Sequence, residues 1–175
     1  MEVTVLQQSE KHRLVLEYAQ PYGVLVETGL WNGQGATATA KEQRPELACY
    51  AIDIAEKNVI RVRLRGVAAW TGDSGVLLPR LLAPIERPAC FWLDAHSATE
   101  GDDYLAAHPS PLLAELHAIL AWPHADRSTV LVDDLRLLGA PGWPARSELA
   151  ELDLGVRWHA EDADDILRLT PRKEN

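Results

Sequence analysis

The 175-residue chain is short of several things, and each shortage closes off a class of function. It has only two cysteines, Cys49 and Cys90, each inside an apolar run. That is too few for a disulfide framework, and the setting reads as buried thiols in a reducing compartment. Basic residues are scarce: 17 Lys and Arg against 26 Asp and Glu leave a net charge of −9. Such a surface offers no footprint for nucleic acid or for an anionic membrane. No apolar run approaches the roughly 20 residues that span a bilayer. The opening MEVTVLQQSEKHR has no signal-peptide apolar region. Internal repeats and low-complexity tracts are also lacking. What remains is 47% hydrophobic and 25% charged, the composition of a globular domain. The expectation is a single cytoplasmic domain over residues 1–175.

Short apolar runs alternate with helix-like segments. RLVLEYAQ (13–20) has helical spacing and stops at Pro21. GVLVE (23–27), ACYAID (48–53), VAAWTGD (67–73), ACFWLD (89–94) and STVLVDD (128–134) read as strands. Helices are expected from GQGATATAKEQ, AEKNVIRVRLRG, SGVLLPRLLA, LLAELHAILAW and SELAEL. In SGVLLPRLLA, Ser74 is a possible cap, and Pro79 suits only a first turn. VRWHAED and DDILRLTP close the chain as a hairpin, with EDADD (161–165) as a solvated turn. Continuous apolar strands suit a parallel sheet covered on both faces. The expected fold class is α/β: a doubly wound, seven-stranded, mostly parallel sheet with a C-terminal antiparallel hairpin. Trp70 and Trp92 lie within strands and read as core, whereas His117, His124 and His159 have no metal-ligand partner at helical spacing or no assignable face.

Ligands of open parallel sheets bind beyond the carboxyl ends of the strands. Here an acid ends nearly every parallel run: Glu27, Asp53, Asp73, Asp94 and the pair Asp133–Asp134. The turn after the first run, ETGLWNGQG, places glycines at 29, 33 and 35, which is not the G-x-G-x-x-G spacing of a dinucleotide site. It contains no lysine, which argues against a triphosphate cradle. Glu27 at its mouth would repel a pyrophosphate and welcome a cation. Asp53 follows Gly29 by 24 residues, a spacing that suits a carboxylate accepting hydrogen bonds from a ribose diol. S-adenosylmethionine, with a ribose, an ammonium, a sulfonium and no phosphate, fits these residues better than NAD.

With those residues in place, the chain resembles the class I S-adenosylmethionine-dependent methyltransferases over roughly residues 13–171. VLVETGLWNGQG looks like their first motif, YAIDIA like the ribose-binding second, and TGDS like the segment beside the adenine. The resemblance implies that Glu27, Thr28, Gly29, Gly33, Gln34 and Gly35 seat the methionine end. Asp53 would hold the ribose, and Asp73 with Ser74 would flank the adenine. A narrower resemblance, carried by FWLDAHS and VLVDD, is to the metal-dependent O-methyltransferases of the catechol, macrolide-sugar and cephalosporin-tailoring types. It implies that Asp94, Asp133 and Asp134 hold Mg²⁺. Three neighbouring carboxylates repel one another unless a cation or protons neutralise them, and an oxygen-only set suits that ion.

Two features depart from the family pattern. The catechol enzymes carry a lysine a few residues after the fourth-strand acid, and this chain reads Asp94-Ala95-His96-Ser97 there. His96 is the nearest substitute, as general base, as hydrogen-bond partner of the metal carboxylates, or as a ligand. Only about one helix precedes the first strand, so the site is expected to be open or completed by a partner in a homodimer. Acceptor contacts would then fall to residues 97–111 and 139–144, with Tyr104, His108 and Trp143 as aromatic candidates. The leading expectation is Mg²⁺-dependent O-methylation of a small hydroxylated metabolite, with N-methylation still open and with no nucleic-acid or membrane partner. An NAD-linked oxidoreductase and a non-catalytic binding module of the same fold are the alternatives.

Overall fold

The computed structural model describes residues 6–95 and 110–172. Helix α1 (Gln8–Ala19) starts five residues before the expected Arg13. The sequence explains the earlier start: the Glu10 carboxylate accepts the Gln7 N–H at 2.9 Å, satisfying a donor that the first turn would otherwise orphan. That extension brings Lys11 and His12 onto the helix.

Strands β1 (Val24–Thr28), β2 (Ala48–Asp53), β3 (Ala68–Thr71), β4 (Cys90–Leu93) and β5 (Thr129–Val132) are parallel. They alternate with α2 (Ala36–Gln43), α3 (Glu56–Arg63), α4 (Ser74–Leu82) and α5 (Leu112–Ala121). Two short helices follow, α6 (Arg146–Glu151) and α7 (Leu154–Arg157). The hairpin of β6 (Trp158–Ala163) and β7 (Ile166–Pro171) then lays β7 antiparallel to β5. The sheet order is β3-β2-β1-β4-β5-β7-β6, as expected for the doubly wound class.

Both faces of the sheet are covered, which is why the strands read as unbroken apolar runs. Val24, Val26, Phe91, Leu93, Val130 and Val132 pack into one core with α4 and α5. Leu25, Cys49, Ala51, Cys90, Trp92 and Leu131 pack into the other with α1, α2 and α3. Strand alternation then decides where the terminal acids point. Glu27 follows Leu25, Asp53 follows Ala51, Asp94 follows Trp92 and Asp133 follows Leu131, each by two residues. All four therefore sit on the α1–α3 side.

Three local expectations are corrected. Trp70 is not core: β3 is the edge strand, and the indole is 41% exposed, stacked on Tyr50 at 6.5 Å. Pro79 lies beyond the first turn of α4, and the cap is Asp73, whose Oδ1 accepts the Gly75 N–H at 2.8 Å. EDADD is not wholly solvated either. Asp164 and Asp165 form a hairpin turn with positive φ, and Asp165 is buried against Arg136. Trp92, Cys49 and Cys90 are buried as expected, both thiols free. No helix among the described residues is long and apolar enough to cross a membrane.

Candidate active site

The neighbours of β1 diverge in sequence order, β2 on one side and β4 on the other, so the crevice beyond their carboxyl ends is the switch point of the sheet. The candidate residues Glu27, Thr28, Gly29, Asp53, Asp94, Asp133 and Asp134 meet along this rim. His96, Tyr104 and His108 lie outside the described residues.

The glycine turn is held from below. Gly29 has φ +81°, and a Cβ there would lie 2.1 Å from the Asp94 carbonyl oxygen. Only glycine lets the turn rest on the end of β4. Gly33 also has positive φ, and a Cβ on Gly35 would meet the Glu27 carboxylate at 2.5 Å. Glu27 itself is buried, with Oε1 accepting the Ala36 N–H at 2.6 Å and Oε2 the Thr37 N–H at 2.9 Å and the Thr37 hydroxyl. Its carboxylate braces the start of α2 instead of lying open to a cation. Burial pushes its pKa up to about 7, against the pull of those hydrogen bonds.

Asp53 takes the other side of the turn. Its Oδ2 accepts the Leu30 N–H at 2.7 Å and the Asn58 amide at 3.2 Å, and its Oδ1 accepts the Ala55 N–H at 2.6 Å. A carboxylate oxygen has two acceptor sites, and among the described residues Oδ1 accepts one hydrogen bond. Ile54, next along, is 49% exposed and offers apolar surface beside it. Asp73 caps α4, Ser74 is buried, and Gln34 is exposed. The set suits a nucleoside: a carboxylate acceptor, an exposed aliphatic face and a turn free of lysine.

Asp94, Asp133 and Asp134 do converge, each offering an oxygen within 4.8 Å of the others. Burial, then the charges of Asp133, Asp134 and Glu27, hold Asp94 well above the usual carboxylate range. Burial and Asp134 likewise raise Asp133, with Lys11 offsetting part of it. That lysine is the residue the sequence reading missed. From α1, its ammonium donates to both oxygens of Asp133 at 2.7 Å and to Asp134 Oδ1 at 3.4 Å. Burial pulls the Lys11 pKa down, but the Asp133 bond and the charges of Asp133, Asp134 and Asp94 more than offset it, and the ammonium is retained. Arg136 Nη1 binds Asp134 Oδ1 at 2.5 Å and also pairs with Asp165. The donor chemistry and spacing of the three aspartates suit Mg²⁺. As arranged, however, both oxygens of Asp133 already receive a cation carried by the chain, and a divalent ion does not fit beside it.

A second missed residue is Glu115 on α5. It is buried facing the Ser74 and Thr28 hydroxyls, Oε1 has no hydrogen-bond partner among the described residues, and burial pushes its pKa up to about 7. The only sequence signal for Lys11 or Glu115 is a charge at an inward position of an amphipathic helix. Trp143, an aromatic candidate, packs partly buried against the α4–α5 core.

No protein-family model matches the sequence, and no curated protein matches it. Solved structures do match in fold. The O-methyltransferase TomG from Streptomyces achromogenes, involved in tomaymycin synthesis and solved with SAM, is 16% identical. The alignment covers 96% of this chain and 82% of that one, with a TM-score of 0.56. The O-methyltransferase from Bacillus cereus, in complex with SAH, is 14% identical over 97% of this chain and 84% of that one, TM-score 0.58. Human methyltransferase-like protein 13, also with SAH, is 15% identical over 97% and 85%, TM-score 0.60. The chain has the Rossmann-like fold of these methyltransferases.

Proposed function

We propose that the chain is an S-adenosylmethionine-dependent methyltransferase that methylates a hydroxyl of a small molecule. The observation that carries this reading is the pairing of Asp53 with the lysine-free glycine turn at the β1–β4 switch point. The Leu30 bond ties the turn to the carboxylate expected to take the ribose, so ribose and methionine ends would be set by one contact. The fold shared with SAM- and SAH-bound methyltransferases supports the same assignment.

In this reading Asp53 Oδ1 accepts a ribose hydroxyl, Ile54 lies against the base, and Ser74 with the capped start of α4 borders it. Thr28 and Gly29 seat the methionine end. Glu27 acts by fixing α2 and the turn, and its buried carboxylate touches no ligand. The cofactor supplies an electrophilic methyl group. The chain's task is to place the acceptor oxygen in line with it and to exclude water. His96, two residues beyond Asp94, is the proposed base. Residues 97–111 and Trp143 are the proposed acceptor contacts, and a homodimer would complete the open rim.

The magnesium reading remains the alternative for the acid cluster, favoured by the three converging aspartates. It requires Lys11 to leave Asp133. The NAD reading is disfavoured by the glycine spacing. Calorimetry tests the main proposal: S-adenosylhomocysteine should bind and NAD should not. Asp53→Asn should weaken the former by roughly 10- to 100-fold, as expected for one charge-assisted hydrogen bond. Binding of NAD in preference, or an Asp53→Asn chain with unchanged affinity, would defeat the assignment.

A further inference from the structure

The strand-end aspartates need a counter-charge, and the chain supplies one from its first helix. An ammonium has three N–H donors and no acceptor. Lys11 has three contacts to match: Asp133 Oδ1, Asp133 Oδ2 and Asp134 Oδ1. Asp134 Oδ1 also receives Arg136, and Asp133 Oδ1 the Asp134 N–H. Every oxygen that Lys11 touches thus serves a donor of the chain.

This is not a loose surface pair. Lys11 is 6% exposed and Asp133 2% exposed, and they lie 122 residues apart in sequence. The helix that carries Lys11 is fixed by its own core residues Val15, Leu16 and Ala19. His12, the next residue, bonds Thr39 of α2 through Nδ1 at 3.0 Å, and Arg44 holds the Leu16 carbonyl. Moving Lys11 out would leave buried carboxylates without their cation. Admitting a divalent ion beside it would set like charges within a few ångströms.

We propose that Lys11 is the resident cation of the Asp94–Asp133–Asp134 cluster, a tethered ammonium that excludes a divalent ion, so that transfer at this rim proceeds without bound metal. The transfer clause rests on the methyltransferase reading above; the exclusion of the ion does not. Lys11 is therefore a positioning residue. It fixes the two β5-end carboxylates, and its removal opens the set as a metal site.

The test needs neither cofactor nor acceptor. Mn²⁺, a paramagnetic probe, is titrated into the full chain and free ion is followed by electron paramagnetic resonance. Wild type should take up no stoichiometric ion. Folded Lys11→Met should bind one Mn²⁺ with affinity higher by roughly 10- to 100-fold, the scale of a change beside a metal's ligands, and Lys11→Arg should behave as wild type. Stoichiometric Mn²⁺ uptake by wild type overturns the proposal whatever the variants do. So does a folded Lys11→Met chain with no gain. Should Lys11→Met not fold, the wild-type chain serves: its melting temperature should be the same in Mn²⁺ as in EDTA, and a rise with Mn²⁺ overturns the proposal. S-adenosylhomocysteine calorimetry on the same samples separates the two readings. Its failure removes the methyltransferase assignment and leaves the Mn²⁺ result standing.

Discussion

Lys11 and Glu115 are charged residues at buried positions, and each sits there for a different reason. Lys11 is matched by carboxylates on two sides, so its burial is compensated. Glu115 is buried against the Ser74 and Thr28 hydroxyls, and burial raises its carboxyl from the ordinary 4.5 to about 7, against the pull of those hydroxyls. Between those values the folded chain keeps a proton that the unfolded chain releases. The contribution of this residue is therefore complete below about pH 4.5 and is lost as pH rises through about 7. Glu115→Gln should abolish that slope. Urea denaturation should show a gain of roughly 1–3 kcal/mol at pH 8 and almost no change at pH 4.5. Equal changes at both pH values would place the charge elsewhere. The acids at the strand ends were legible in the sequence because each closes an apolar run. Their partners were not, because a hydrogen bond to the Leu30 N–H or to the Lys11 ammonium depends on turns and helices that the run does not encode.

The elements bear on the site through two joints. One is the turn after β1, which rests on the end of β4 at Gly29. Gly29→Ala brings a Cβ onto the Asp94 carbonyl at a backbone angle that side chains rarely adopt. It should cost about 2–4 kcal/mol in chemical denaturation, whereas Gly66→Ala, where a Cβ meets nothing and φ is also positive, should cost only about 1 kcal/mol. Equal costs would show that the close approach to β4 adds nothing beyond the backbone angle. The other joint is α1, whose earlier start puts Lys11 over β5. The sequence showed the helix but not its first turn, since the Glu10 cap replaces an apolar signal with a polar one. Trp70 misled for a related reason. A strand's apolar composition does not say whether it is central or at the edge, and β3 is at the edge.

At the scale of the molecule, the rim forms one surface because alternation sends Glu27, Asp53, Asp94 and Asp133 to the same side of the sheet. A ligand seated along this rim would touch more than one of these strand ends at once. S-adenosylhomocysteine at 100 times its dissociation constant should add about 2.7 kcal/mol of stability. That corresponds to a rise of roughly 5–10 °C in melting temperature for a chain of this size. NAD at the same concentration should give none. Matching shifts from both would mean the rim reads only an adenosine, and the methyl-transfer assignment would lose its support.

The sequence by itself determined the α/β class, the seven strands with a closing hairpin, and the row of carboxylates at one rim. Those follow from local apolar periodicity and from where each run stops. Only the tertiary structure decided how the carboxylates are used. Glu27 braces a helix, Asp53 holds a turn, and Asp133 and Asp134 are joined to a lysine more than a hundred residues away. The physical reason is that a charge is satisfied in space. The cation that pairs with Asp133 at the end of β5 comes from α1, and no local pattern in either segment names the other.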